Sequence, residues 1–106
     1  MRVYKPDLWV LVKITSNNNP TYFKILGSWY GGFTSGDSWR FSSGCLSPQV
    51  DGDNIVWPQN SGSTYHVSKK NVGMNNYTSN IYSVLCDEAR AQGAELTVVE
   101  FDDFVE

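Results

Sequence analysis

The hydrophobic period of this chain changes once, near Lys69-Lys70, and that change limits its fold more than any single residue does. From Leu8 to Thr15 the even positions Leu8, Val10, Val12 and Ile14 are all apolar, with Trp9, Leu11, Lys13 and Thr15 on the other parity. Period two with β-branched residues predicts a strand. Asn17-Asn18-Asn19-Pro20 predicts a turn, because Asn tolerates left-handed backbone angles and Pro cannot continue a ladder. Tyr22 to Tyr30 is then an antiparallel return with Phe23, Ile25 and Trp29 on one face. Gly27 shares that face, and its missing side chain implies a bulge or a close backbone approach. After breaks at Gly31-Gly32 and Ser35-Gly36-Asp37, Ser38 to Ser42 resumes the alternation, with Trp39 and Phe41 together. Asp51-Gly52-Asp53 between Gln49-Val50 and Ile55-Val56-Trp57 is a hairpin signal. Thr64 to Ser68 places Tyr65 and Val67 inward and His66 outward.

Beyond Lys70, Ile81, Tyr82, Leu85, Cys86 and Ala89 fall on one helical stripe, away from Ser79, Asn80, Ser83, Asp87 and Arg90. A helix over Tyr77 to Gln92 follows, capped by Asn75, Asn76 or Thr78 and closed at Gly93. Glu95 to Phe101 reads as a last strand, with a short acidic tail after it. The expected class is α+β: an antiparallel sheet or small barrel of about five to six strands, one C-terminal helix, and a final strand.

One domain spanning 1–106 is expected, since 106 residues suit a single core. Hydrophobic content of 41% with 18% charged residues is that of a globular chain. The longest apolar stretch, Leu8 to Val12, is too short to span a bilayer, and the first seven residues lack a signal-peptide cleavage site. The expected compartment is therefore the cytoplasm, with no membrane partner. There, Cys45 and Cys86 are expected as free thiols. The net charge of −3 conceals an asymmetry: residues 1–70 carry seven basic and four acidic side chains, and residues 71–106 one basic and seven acidic. Such a division marks an interaction surface or merely a solvated face.

No constellation of catalytic residues is legible. His66 is the only histidine, so an imidazole-based triad or multi-histidine metal site has little to draw on. Asp51-Gly52-Asp53-Asn54 fails calcium-loop spacing, because Gly62 stands where the twelfth-position glutamate belongs. The glycines fit neither a Walker nor a Rossmann spacing. Neither metal nor cofactor is expected, and the chain reads as a non-enzyme.

Binding is the better reading. Seven of the fifteen aromatic residues lie between Tyr22 and Phe41, separated mostly by Gly, Ser and Thr. Rigid aromatics among small residues make good contact surface, and aromatics with Arg are frequent interface hot spots. An exposed subset of Trp29, Tyr30, Trp39, Arg40, Trp57 and His66 is expected to grip a protein partner. Glu95, Glu100, Asp102 and Asp103 form a second candidate surface, suited to a basic partner. A small-ligand or nucleotide pocket built from the same aromatics is the alternative. Single-stranded nucleic acid is disfavoured by an isoelectric point near 5.0, although Lys13, Lys24, Lys69 and Lys70 stand near strand aromatics. A homodimer through an unpaired strand edge at Glu95 to Phe101 is also open.

Gly27-Ser28-Trp29-Tyr30-Gly31-Gly32 and Gly36-Asp37-Ser38-Trp39-Arg40 resemble segments of short uncharacterised proteins of phages and bacterial mobile elements. The resemblance covers about the middle fifth of the chain and carries no activity or site residue with it. It implies an accessory intracellular protein that binds a host component.

Overall fold

The computed structural model describes residues 2–30 and 37–104. The breaks expected at Gly31-Gly32 and Ser35-Gly36, and the tail end Val105-Glu106, lie outside the described residues.

Two four-stranded sheets and one helix make three layers. The central sheet has the order β4-β3-β2-β8, from β2 (Leu8–Ser16), β3 (Asn19–Trp29), β4 (Ser38–Phe41) and β8 (Ala94–Val99), all antiparallel. The outer sheet has the order β1-β7-β6-β5, from β1 (Val3–Tyr4), β5 (Gln49–Asp51), β6 (Asn54–Pro58) and β7 (Thr64–Ser68). Helix α1 (Asn76–Ala91) covers the far side of the central sheet.

The pattern of β2 explains the layering. Both of its parities are apolar, so both of its faces need cover. Trp9, Leu11, Phe23 and Ile25 pack against Ile55, Trp57, Tyr65 and Val67 of the outer sheet. Val10, Val12, Ile14 and Leu26 face the other way, towards Tyr82 and Leu85 of α1. The barrel alternative is thereby excluded; the sheet is a layer covered on both sides rather than a closed cylinder. The strand count rises to eight because of β1, whose two residues are too few to show a period. β1 was not legible at all, and it pairs parallel to β7, Tyr4 opposite Tyr65.

Local expectations hold where a side chain dictates the backbone. The helix stripe is half-buried at Ile81, Tyr82, Leu85, Cys86 and Ala89, and the opposite positions are exposed. Asn75 caps α1, its Oδ1 accepting from the Thr78 amide at 2.9 Å, and Gly93 follows the helix with φ of +81°. At Gly27 a Cβ would meet the Pro6 Cβ at 3.0 Å, so a close approach rather than a bulge keeps glycine there. The buried indoles find partners, Trp9 Nε1 donating to the Ser68 carbonyl at 2.7 Å and Trp57 Nε1 to the Leu46 carbonyl at 2.6 Å. Among the described residues no helix is long and apolar enough to cross a membrane.

Candidate functional site

The structure does not bring the six residues expected to form one aromatic contact surface onto a single face. Trp57 is fully buried in the core, its ring edge-on to Trp9, Phe101 and Phe104, so it presents nothing to a partner. The reason is its parity: inward-facing Ile55 and Trp57 must fill the space beneath β2 and β3. His66 is half-buried on the outer face of the outer sheet, opposite Val56, in a different sheet from Trp29 and Trp39. Trp29 and Arg40 share the face of the central sheet that looks to the outer sheet, both beside the Tyr4 ring, whereas Trp39, paired with Ser28, lies on the opposite face with Phe41, and Tyr30 follows at the end of β3. Tyr30 is 58% and Trp39 37% exposed. Trp29 is half-buried, its indole N–H donating to the Lys5 carbonyl at 3.0 Å.

The acidic candidates fare differently. Glu100, Asp102 and Asp103 meet at a groove of about 690 Å³ on the β8 edge of the central sheet. Its apolar surface comes from Trp9, Val72, Val98, Val99 and Phe101. The local chain path makes the groove. β8 stops pairing with β2 at Leu11–Val99, while Trp9 is bridged by Val72 and its carbonyl accepts from the Gly73 amide at 2.9 Å. The space between these two strand-like neighbours stays open. Glu100 then turns the chain into the 3-10 turn Phe101–Asp103, the Asp103 carboxylate accepting from the Glu100 amide at 3.1 Å. Val72 remains 54% and Val98 39% exposed, and the Lys69 ammonium rests 5.2 Å from the Phe101 ring centre. Glu95 is not part of this groove; it lines a separate hollow with Arg90 and Thr15.

A second concavity, of about 250 Å³, opens at the opposite edge of the same sheet, beside β4. Arg40 and Lys24 supply cations, Ser43, Ser61 and Ser63 hydroxyls, and Tyr4 and Tyr65 rings. Each cation lies against a ring rather than a carboxylate: the Arg40 guanidinium 4.5 Å from the Tyr4 ring centre, the Lys24 ammonium 4.7 Å from that of Phe41. Burial lowers the Lys24 pKa from its ordinary value, as expected of an ammonium losing water without a counter-ion. The Tyr65 hydroxyl is buried and has no hydrogen-bond partner among the described residues. Burial raises its pKa well above the usual phenol range, the nearby Arg40 charge opposing only in part.

The Cys45 thiol is not poised for chemistry. Burial pushes Cys45 up to about 12, outweighing hydrogen bonding by Gln59 and Ser42, so the reactive thiolate is scarce at neutral pH. Cys45 packs against the core cluster, and its backbone forms an isolated β-bridge with Gln59. Cys86 lies on the half-buried helix stripe. Among the described residues no group of three or more His, Cys, Asp or Glu is placed to hold a metal.

Sequence reasoning missed Val72, Val98, Tyr65 and the serines as site residues, and weighed Lys24 only as a cation for a nucleic-acid platform. Val72 and the serines lie in segments without a period, and Tyr65 carried only a core signature. No family model matches the chain, and no curated protein or solved structure shows detectable similarity to it.

Proposed function

We propose that this protein is a non-enzymatic binding module whose groove beside β8 takes an extended, apolar peptide segment flanked by basic residues on a partner protein. The observation that carries this reading is the combination, in one groove, of exposed Val72 and Val98 with the carboxylates of Glu100, Asp102 and Asp103. Apolar floor supplies affinity, and the acidic rim selects for cations and speeds encounter. β8 ends its sheet, so among the described residues its outer backbone groups face no further strand. An added strand would satisfy them, which is how edge-binding modules take peptides. Net acidity of residues 71–106 points the same way.

A fluorescent nine-residue peptide with alternating valines and terminal lysines is the probe. Saturable anisotropy is expected, weakening steeply with salt, and Val98→Lys is expected to weaken it at least tenfold, since it removes apolar floor and adds a repelling charge. If the peptide fails to bind, or binds the Val98→Lys protein equally well, the groove is not the docking site. The lysine-free analogue tests the rim: affinity equal to that of the parent peptide removes the acids from the mechanism.

A further inference from the structure

We propose that the concavity beside β4 is a binding site for a small tetrahedral oxyanion of the phosphate class, held by Arg40, Lys24, Ser43, Ser61, Ser63 and Tyr65. This site is separate from the peptide groove and does not depend on it.

The donors are numerous and their charges are not neutralised. Among the described residues no carboxylate lines the concavity, and the two ion pairs, Lys70 with Asp53 and Arg90 with Asp87, lie elsewhere. Stacking on Tyr4 fixes the plane of Arg40 while leaving its N–H groups free to fork onto two oxygens. The hydroxyls are arranged for donation as well. Ser43 Oγ already accepts from the Ser61 amide at 2.9 Å, and Ser61 Oγ from the Ser63 amide at 3.4 Å. Each oxygen is thus engaged as an acceptor and keeps its proton for an incoming oxygen.

Tyr65 is the independent observation. The residue lines the concavity and is 1% exposed, and among the described residues its buried hydroxyl has no hydrogen-bond partner. Such atoms are uncommon and usually mark a ligand or a functional constraint. A raised pKa keeps this phenol protonated, so it stays a donor.

The walls are pre-set rather than formed on binding. Ser42 Oγ accepts from the Ile25 amide at 2.8 Å, the Asn60 amide donates to the Gly44 carbonyl at 2.8 Å, and the Leu46 amide to that of Pro58 at 2.9 Å. Gly44, at φ of +145°, lies directly against Asn60, where a side chain would collide. These bonds lock the serine-bearing segments 42–46 and 59–63 together, so little ordering is left for the ligand to drive. Size selects the ligand class: about 250 Å³ falls below the ~300 Å³ at which sites for drug-sized molecules begin, which suits a phosphate-sized group better than a nucleotide.

The test is calorimetric titration of the intact protein with inorganic phosphate and, in parallel, with O-phosphoserine, against sodium chloride at matched ionic strength. Saturable one-to-one binding absent with chloride is expected. Arg40→Gln and Tyr65→Phe are each expected to weaken it about tenfold or more, the loss of one hydrogen bond to a charged group. Lys70→Gln, at another site on the molecule, is expected to leave it unchanged. Binding of both anions assigns the site to the free oxyanion, and binding of O-phosphoserine alone assigns it to a phosphomonoester. Equal responses to phosphate and chloride, or wild-type affinity in either Arg40→Gln or Tyr65→Phe, overturn the proposal, provided the variant melts as cooperatively as the parent.

Discussion

The two edges of the central sheet carry opposite chemistry. At the β4 edge, Arg40 and Lys24 stand over rings beside three serines, with no acid among the described lining residues. At the β8 edge, Glu100, Asp102 and Asp103 surround an apolar floor, with Lys69 as the only cation among the described lining residues. An unpaired strand edge invites pairing with another chain, and these edges treat that hazard differently. The β4 edge is backed by a hydrogen-bonded loop pair that closes it into a small polar cup, whereas the β8 edge is left as an open groove. The charge asymmetry along the chain has thereby become an asymmetry across one sheet, because residues 1–70 supply β4 and residues 71–106 supply β8.

The largest expected effect comes from breaking what the two edges share. Trp57 donates to Leu46, which anchors the loop behind the cationic cup, and packs 5.3 Å from Phe101 at the acidic groove. Trp57→Ala is expected to cost about 3–5 kcal/mol, read as a lowered denaturant midpoint, and to impair both sites together. Trp57→Phe separates them. It keeps most of the ring contacts with Phe101 and Phe104 but removes the donor to Leu46, so phosphate binding is expected to fall while peptide binding persists. Equal loss at both edges in Trp57→Phe would show that they are not independently supported.

How far these edges were legible in the sequence follows from the range of the interactions that make them. The β2–β3 pairing, the hairpin at Gly52-Asp53, the helix stripe and the Asn75 cap are set within a few residues by period, turn chemistry and capping, and all are visible in the chain. The acidic rim was visible too, since Glu100, Asp102 and Asp103 are adjacent. The cationic cup was not, because it joins β1, β3, β4, the 42–46 segment and the 59–63 turn, brought together only by sheet stacking. Trp29, Trp39 and Trp57 show the same limit: composition counted them alike, and parity against the second sheet sent Trp57 inside.

A smaller effect separates the edges through a single oxygen. In the absence of ligand, Tyr65→Phe is expected to stabilise the protein by about 1 kcal/mol, since an unpartnered buried hydroxyl is a cost that phenylalanine lacks. With saturating phosphate the gain is expected to shrink or reverse. Thermal denaturation with and without phosphate reads both values. A Tyr65→Phe protein less stable than its parent in both conditions would mean the hydroxyl already has a partner, and the cup would lose its strongest evidence.

The smallest effect is a matter of alkaline pH. The Lys24 pKa is lowered by burial, so in the window between its folded value and the ordinary lysine value the unfolded chain holds a proton that the native one has released. Stability is therefore expected to rise with pH across that window. Tyr65 and Tyr82, both raised by burial, act in the opposite sense, because the native state retains their protons after the unfolded state has lost them. Lys24→Met isolates the lysine contribution: the difference in stability between parent and variant is expected to move towards the parent as pH rises. Lys24 also borders a hollow containing Glu88, and its side chain is far from fully enclosed, so solvent screening keeps the change small. Saturating phosphate stabilises the ammonium and is expected to flatten the slope. A slope that is the same with and without phosphate would place the bound anion away from Lys24, leaving Arg40 as the principal cation of the β4 edge.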